Sequence, residues 1–216
     1  MRKIFSRKHK TETAQPFWEQ SYRDPNAIAF SKGPTSDLAA YHDLIPPGSS
    51  ILDVGCGEGR NAIFLAGLGH HADGFDLSQA GAAKAQAIAD ARGVDARFWA
   101  KDLAAFEFER DYDVILSHGV LHLTEKHVRD LFLRRAQEHT APGGLHYIGI
   151  FTNRLPAAPD MASVTKSLFD VGELPAMYRD QGWDILHHFE GTFRDKHPGS
   201  PRHRHAYERV VARKSK

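Results

Sequence analysis

The stretch Ile51–His70, ILDVGCGEGRNAIFLAGLGH, sets an acid, Asp53, ahead of alternating glycines at Gly55, Gly57 and Gly59. Glycines placed directly after an apolar run let the backbone approach a ligand closely. A dinucleotide fingerprint needs G-x-G-x-x-G, but here the spacing is G-x-G-x-G and Arg60 follows. The glycine that is missing lets helix and strand pack closely around a pyrophosphate. Asp53 would repel a pyrophosphate, whereas it suits a ligand that carries a cation such as an ammonium group. No phosphate-gripping lysine of the P-loop type accompanies the loop. Glycine-rich backbone beside a carboxylate therefore favours a positively charged nucleoside.

Further acids end strand-like runs. Asp76, in GFDLS, can accept hydrogen bonds from both hydroxyls of a ribose; Asp102, in AKDL, can accept from an adenine amino group. Each can equally be an ordinary helix N-cap or strand-end aspartate. Together with Asp53 they place a carboxylate at the end of each of three successive strands.

Histidines make up the second set. His118 ends a strand-like run in SHGVLH, where it either lines a pocket or acts as a base; His122, one helical turn on, either contacts substrate or packs against the next helix. The tail KHPGSPRHRHAY holds His197, His203 and His205. Strand alternation puts His203 and His205 on one face and Arg202 and Arg204 on the other. Such imidazoles can bind a metal, hold an oxyanion, act as bases, or simply mark a solvated junction; no metal ligand set is assigned. In FWEQSYRDP, Trp18, Tyr22 and Arg23 can close a lid over a cation, since an aromatic face attracts one. Alternatively, Phe17 and Trp18 only dock a helix on the core. Cys56 has no base beside it in sequence and fills a position where a small side chain suffices.

These residues need a scaffold, and the pattern supplies one. SILDVG, HADGFD, DARFWA, YDVILS and LHYIGIF read as strands. Between them RNAIFLAGLG is apolar nearly all round, as in a buried helix. SQAGAAKAQAIADARG starts at an N-cap, Ser78, and stops at Gly93. TEKHVRDLFLRRAQEH sets Val128, Leu131, Phe132 and Ala136 on one stripe. This alternation predicts a doubly wound, mainly parallel α/β sheet. WDILHHFEG and HAYERVVARK have only a polar stretch between them, which predicts an antiparallel hairpin at the end of the sheet. Residues 17–47, with the short helix candidate SDLAAYHDLI, and residues 152–168, a loop after the fifth strand, lie outside the alternation.

A chain of 216 residues that is 41% hydrophobic builds one sizeable core. We therefore expect a flexible basic terminus over 1–16, MRKIFSRKHK at its start, and a single domain over 17–216. A net charge of +1 argues against a dedicated nucleic-acid or membrane-surface protein. A lone cysteine and the lack of a long apolar run point to a soluble, cytoplasmic protein.

LDVGCGEGRNAIFLA, GFDLS, AKDL, YDVILSHGVLH and APGG, in that order, resemble the signature set of the class I S-adenosylmethionine-dependent methyltransferases. FWEQSYRDPNAIAF and the closing VVARK are similar to the tellurite-resistance/thiopurine methyltransferase-like branch. The resemblance implies a Rossmann-like seven-stranded sheet with an antiparallel C-terminal strand. It also implies S-adenosylmethionine as cofactor and S-adenosylhomocysteine as product. Gly55, Gly57 and Gly59 would cradle the methionine part, Asp53 would fix its amino group, Asp76 the ribose and Asp102 the adenine edge. Leu77 and Leu103 would flank the adenine ring, His118 would face the methyl, and Trp18 and Tyr22 would cover the cofactor.

Methyl transfer from a sulfonium is an in-line displacement, so the protein mainly aligns the partners and excludes water. A base is needed only for a neutral hydroxyl or a high-pKa thiol; His118 and His205 are the candidates, with His122, His203 and Arg23 as acceptor contacts. The expected acceptor is a small molecule: a thiol, a metalloid oxyanion, or an O, N or C centre of a natural product. Neither nucleic acid nor membrane is expected as a partner, and the chain would be a monomer or homodimer. The alternatives are a nucleic-acid or protein methyltransferase, or an inactive cofactor-binding homologue. Against the former, SHGV stands where an amino-nitrogen enzyme would carry Asn-Pro-Pro-aromatic.

Overall fold

In the computed structural model, residues 16–197 and 200–216 are described. The basic segment MRKIFSRKHK lies outside them. Seven strands run in the order β3-β2-β1-β4-β5-β7-β6. They are β1 (Ser50–Val54), β2 (His71–Asp76), β3 (Ala96–Ala100), β4 (Tyr112–His118), β5 (Thr140–Phe151), β6 (Asp184–Asp195) and β7 (His203–Arg213). β1 to β5 pair in parallel, and β7 runs antiparallel to both of its neighbours, β5 and β6. The predicted hairpin is thus β6–β7, with β7 inserted between β6 and the rest of the sheet.

Among the described residues six helices cover the sheet: α1 (Phe17–Arg23), α2 (Ser36–Tyr41), α3 (Arg60–Gly67), α4 (Gln79–Arg92), α5 (Lys126–Glu138) and α6 (Glu173–Asp180). Strand side chains alternate between the two faces. Ile51, Val114, Leu116, Leu145, Tyr147 and Val211 pack with Leu38 of α2, Ile63 and Leu65 of α3 and Ala89 of α4. Leu52, Val54, Ile115, Ile148, Ile150 and Val210 pack with Phe132 and Leu133 of α5 and Leu174 and Tyr178 of α6. Burial on both faces explains why β1 and β4 read as almost continuous apolar runs. Among the described residues no helix is long and apolar enough to cross a membrane.

The helix ends follow their signals. Ser78 caps α4 by accepting from the Gly81 N–H at 3.0 Å, and Gly93 closes the helix at φ 62°. One reading needs correction and one helix was missed. In α5, Leu131 is 42% exposed and Leu133 takes its place in the core, because the buried face is centred one position later. The same face carries Arg129, only 1% exposed, which lies 3.5 Å over the Phe169 ring and pairs with Glu173 at 2.9 Å. Helix α6 was not legible: ELPAMYRD is short and holds Pro175. That proline falls in the first turn, where its missing N–H has no intrahelical partner to lose.

A buried ion pair fastens the N-terminal segment to this frame. Lys84 of α4 meets Glu58 at 3.0 Å, with the two side chains 9% and 8% exposed. The Lys84 ammonium also donates to the carbonyls of Ser21, Asp24 and Ala27, and Glu58 accepts from the Ala29 N–H. We expect Lys84→Met to strand the Glu58 charge and cost roughly 3–5 kcal/mol, with much of this recovered in Lys84→Met/Glu58→Gln. Urea denaturation of both variants measures it.

Candidate functional site

The glycine loop joins β1 to α3 and is shaped by its neighbours. The Gly55 and Cys56 N–H groups both donate to the Phe75 carbonyl of β2, at 2.9 and 3.0 Å. Gly55, Gly57 and Gly59 all take positive φ, at 67°, 55° and 79°. Space is refused as well as conformation: a Cβ on Gly55 would lie 2.6 Å from Val120, and one on Gly57 would strike the Tyr22 hydroxyl. Tyr22, buried on α1, thus lies directly on the loop. Arg60, which replaces the dinucleotide glycine, donates to Ser31 Oγ at 2.8 Å and so helps to hold the N-terminal segment over α3.

The acids then take their positions. Asp76 accepts from the Gly57 N–H on one oxygen and from the Ser78 N–H on the other, both at 2.8 Å. Burial pushes its carboxyl upward, and those hydrogen bonds oppose the shift. Asp53 is 2% exposed and accepts from the Ala62 N–H of α3 at 3.3 Å. Burial raises its pKa from 3.8 to about 6, in spite of the nearby His118 imidazole. Asp102 accepts from the Ala104 N–H at 2.9 Å, so it does cap a short turn while also facing the pocket. Leu77 stands 75% exposed beside these acids, whereas Leu103 is buried. The Cys56 thiol is pushed well up by burial, then by Asp53 and Asp76, which agrees with an inert role.

All of this surrounds one cavity of about 860 Å³ at the carboxyl ends of the strands, where open α/β sheets bind ligands. Trp18, Tyr22, Asp53, Gly55, Gly57, Asp76, Leu77, Asp102, Leu103 and His118 all reach its wall. Its charges are divided. Asp53, Asp76 and Asp102 follow β1, β2 and β3, whereas Lys166, Lys196 and Arg209 line the side built by β5, β6 and β7. The division is incomplete: Lys101 and Arg60 stand on the acid side and Asp195 on the basic one.

The histidines differ from the sequence reading. His118 Nε2 lies 2.8 Å from Asp37 Oδ2, and its Nδ1 has no partner among the described residues. Burial would raise Asp37, but His118, the hydrogen bond between them, and Arg209 hold its carboxyl well below the usual range. Asp37 and Arg209 were missed: one is an unremarked acid in a short helix candidate, the other an arginine within a strand, and only folding brings them to His118. His122 is off the cavity wall, stacked 4.4 Å from Phe151, with burial lowering its pKa to about 3; its carbonyl anchors the Lys166 and Ser167 N–H groups. His205 is likewise off the wall, stacked 4.6 Å from Phe151, with burial and the neighbouring His203 and His197 lowering it to about 4. Such a group is a poor base near neutrality. His203 and Arg23 also lie off the wall, Arg23 pairing weakly with Glu19 on α1 at 3.9 Å. Gly59 acts from behind, as the left-handed N-cap of α3. The tail histidine that does reach the cavity is His197, with Phe17 of α1 stacked on it at 4.1 Å.

The residues present fit an adenosyl sulfonium ligand. The buried Asp53 carboxylate has a single long hydrogen bond among the described residues, so a cationic group beside it would relieve its burial. Leu77 offers an uncovered apolar face next to Asp76 and Asp102, where a base could lie.

Comparison with known proteins agrees. Residues 51–144 match the family model described as a methyltransferase domain. The probable S-adenosyl-L-methionine-dependent methyltransferase TehB of Haemophilus influenzae is 28% identical over 156 residues, which is 71% of this chain and 52% of that protein. The chain thus spans about half the length of TehB. The 2-heptyl-1-hydroxyquinolin-4(1H)-one methyltransferase of Mycobacteroides abscessus is 27% identical over 160 residues, covering 70% of each. The crystal structure of Haemophilus influenzae TehB shares the fold at a TM-score of 0.74 and 22% identity, over 84% of this chain and 62% of that one. By the family model, these relatives and the common fold, the chain is similar to S-adenosylmethionine-dependent methyltransferases, TehB among them.

Proposed function

We propose that this chain transfers a methyl group from S-adenosylmethionine to a small acceptor that is anionic, or readily made so, at the reacting atom. The observation that carries this reading is the charge division of the cavity. A cationic cofactor suits the wall of Asp53, Asp76 and Asp102, and an anion suits Lys166, Lys196 and Arg209 opposite. Relatives lend it support: one is named for a hydroxyquinolinone, and others for ubiquinone-biosynthesis O-methylation.

S-adenosylmethionine supplies an electrophilic methyl on a sulfonium leaving group. The chain's own residues do the rest. The glycine loop and the three carboxylates position the donor, while Tyr22 and Trp18 of α1 cover it and exclude water. For a neutral hydroxyl, His118 is the base: Asp37 holds the ring through Nε2, and Nδ1, buried without a partner among the described residues, takes the proton when the acceptor displaces what covers it. For a thiolate or oxyanion, no proton need move.

S-adenosylhomocysteine should raise the melting temperature of the chain, and Asp76→Ala should abolish the shift by releasing the Gly57 N–H. A folded wild-type sample that shows no shift overturns the assignment. Asp53 gives the pH sign. Its raised pKa favours the uncharged acid, a stabilisation complete below 3.8 and lost as pH rises through about 6. A cationic ligand needs the carboxylate, so affinity should fall about tenfold between pH 7 and pH 5. Calorimetric titration of wild type and Asp53→Asn should show that dependence only in the former. A mass-shift screen of acceptors, with His118→Gln alongside, tests the other half. The variant should slow a neutral hydroxyl acceptor by roughly 100-fold or more and spare a thiolate; equal loss on both removes the base.

A further inference from the structure

His197, His203 and His205 each place a ring nitrogen within 4.8 Å of the others, at the junction of β6 and β7. We propose that these three histidines, with Asp195 as fourth ligand, form a binding site for a divalent transition-metal ion of the zinc class. Zinc binds imidazole nitrogen at about 2.0–2.1 Å, so two such nitrogens on one tetrahedral ion stand about 3.3 Å apart. The spacings here are close to that: His203 Nε2 to His205 Nε2 is 3.0 Å, His197 Nε2 to Asp195 Oδ2 is 3.3 Å, and His205 Nε2 to Asp195 Oδ2 is 4.0 Å. Strand register makes the cluster, since Asp195 of β6 is paired with His203 of β7, and Phe193 with His205.

The outer contacts carry the argument further. His197 Nδ1 is bonded to Asp160 Oδ2 at 2.7 Å, and His203 Nδ1 to the Pro201 carbonyl at 2.9 Å. In both rings the far nitrogen is engaged by an acceptor, which fixes Nδ1–H and turns a bare Nε2 inward. Metal-binding histidines are held in this way. His205 is clamped between Phe151 and Phe193, at 4.6 and 5.1 Å. His203 Nε2 lies 3.0 Å from His205 Nε2, so without an ion His205 donates to it, and a cation between the two displaces that proton and takes both nitrogens as ligands. Imidazole nitrogens with one carboxylate select zinc, copper or nickel over magnesium or calcium. Asp195 and His197 also line the large cavity, so the ion would border its basic end.

Chelator-treated full-length protein titrated with zinc in a calorimeter should take up one equivalent per chain. Cobalt(II) should show the visible absorption of a four-coordinate ion. His203→Ala and His205→Ala should each weaken binding at least 100-fold, and Asp160→Asn, which keeps every ligand, by about 10–100-fold. Circular dichroism of the metal-free variants verifies folding, and the partly exposed Asp160 and His203 keep the test open if His205→Ala does not fold. Absence of stoichiometric uptake, or uptake unchanged in folded His203→Ala, overturns the proposal; both would leave His203 and His205 as a hydrogen-bonded pair. The readout is metal binding alone, so it stands apart from the methyl-transfer reading, which the S-adenosylhomocysteine shift tests on the same samples.

Discussion

The missing side chain at Gly57 is the constraint on which the cavity depends. With only hydrogen there, the Tyr22 ring rests on the loop, and the Gly57 N–H turns to the Asp76 carboxylate at 2.8 Å. Tyr22 sets α1 against α4, where a Cβ on Gly81 would lie 3.0 Å from the same ring. From that seat α1 extends across the opening, and Phe17 meets His197 on the far wall. One close approach therefore shapes the glycine-loop side of the cavity and links it to the far wall. The Lys84–Glu58 pair holds the connection, since its ammonium takes three carbonyls from the segment that follows α1.

Electrostatics sharpens what packing builds. A carboxylate as buried as Asp53 is costly alone, and the cost becomes affinity when a cation arrives. Behind His118, Asp37 is held ionised by His118 and Arg209, so residues of β4 and β7 fix the charge of one from the N-terminal segment. The wall of the cavity away from the glycine loop is therefore assembled from β4, β7 and the loop after β5, with α2 behind His118.

The fold was legible because its signals are local. β1 to β5 and α3 to α5 each carry their own periodicity, and Ser78 and Gly93 mark α4 through backbone geometry that any tertiary context would share. The ligand loop was legible for the same reason: positive φ at Gly55, Gly57 and Gly59 and the acids at strand ends are properties of the chain within a few residues. Leu131 misled because a helical stripe read from sequence is uncertain by one position, and Leu133 lies within that uncertainty. Helix α6 escaped because eight residues with a proline give no periodic signal.

What the sequence alone determined was the α/β architecture and a glycine loop flanked by carboxylates suited to a cationic nucleoside. Tertiary structure alone decided which histidines face the cavity. His118 gained Asp37 from 81 residues away, whereas His122 and His205 were turned against Phe151. His197 moved to the cavity wall and into contact with Phe17. The physical reason is that a histidine's role depends on its neighbours, which set its burial, its charge and the nitrogen it presents, and those neighbours come from strands and helices distant in sequence.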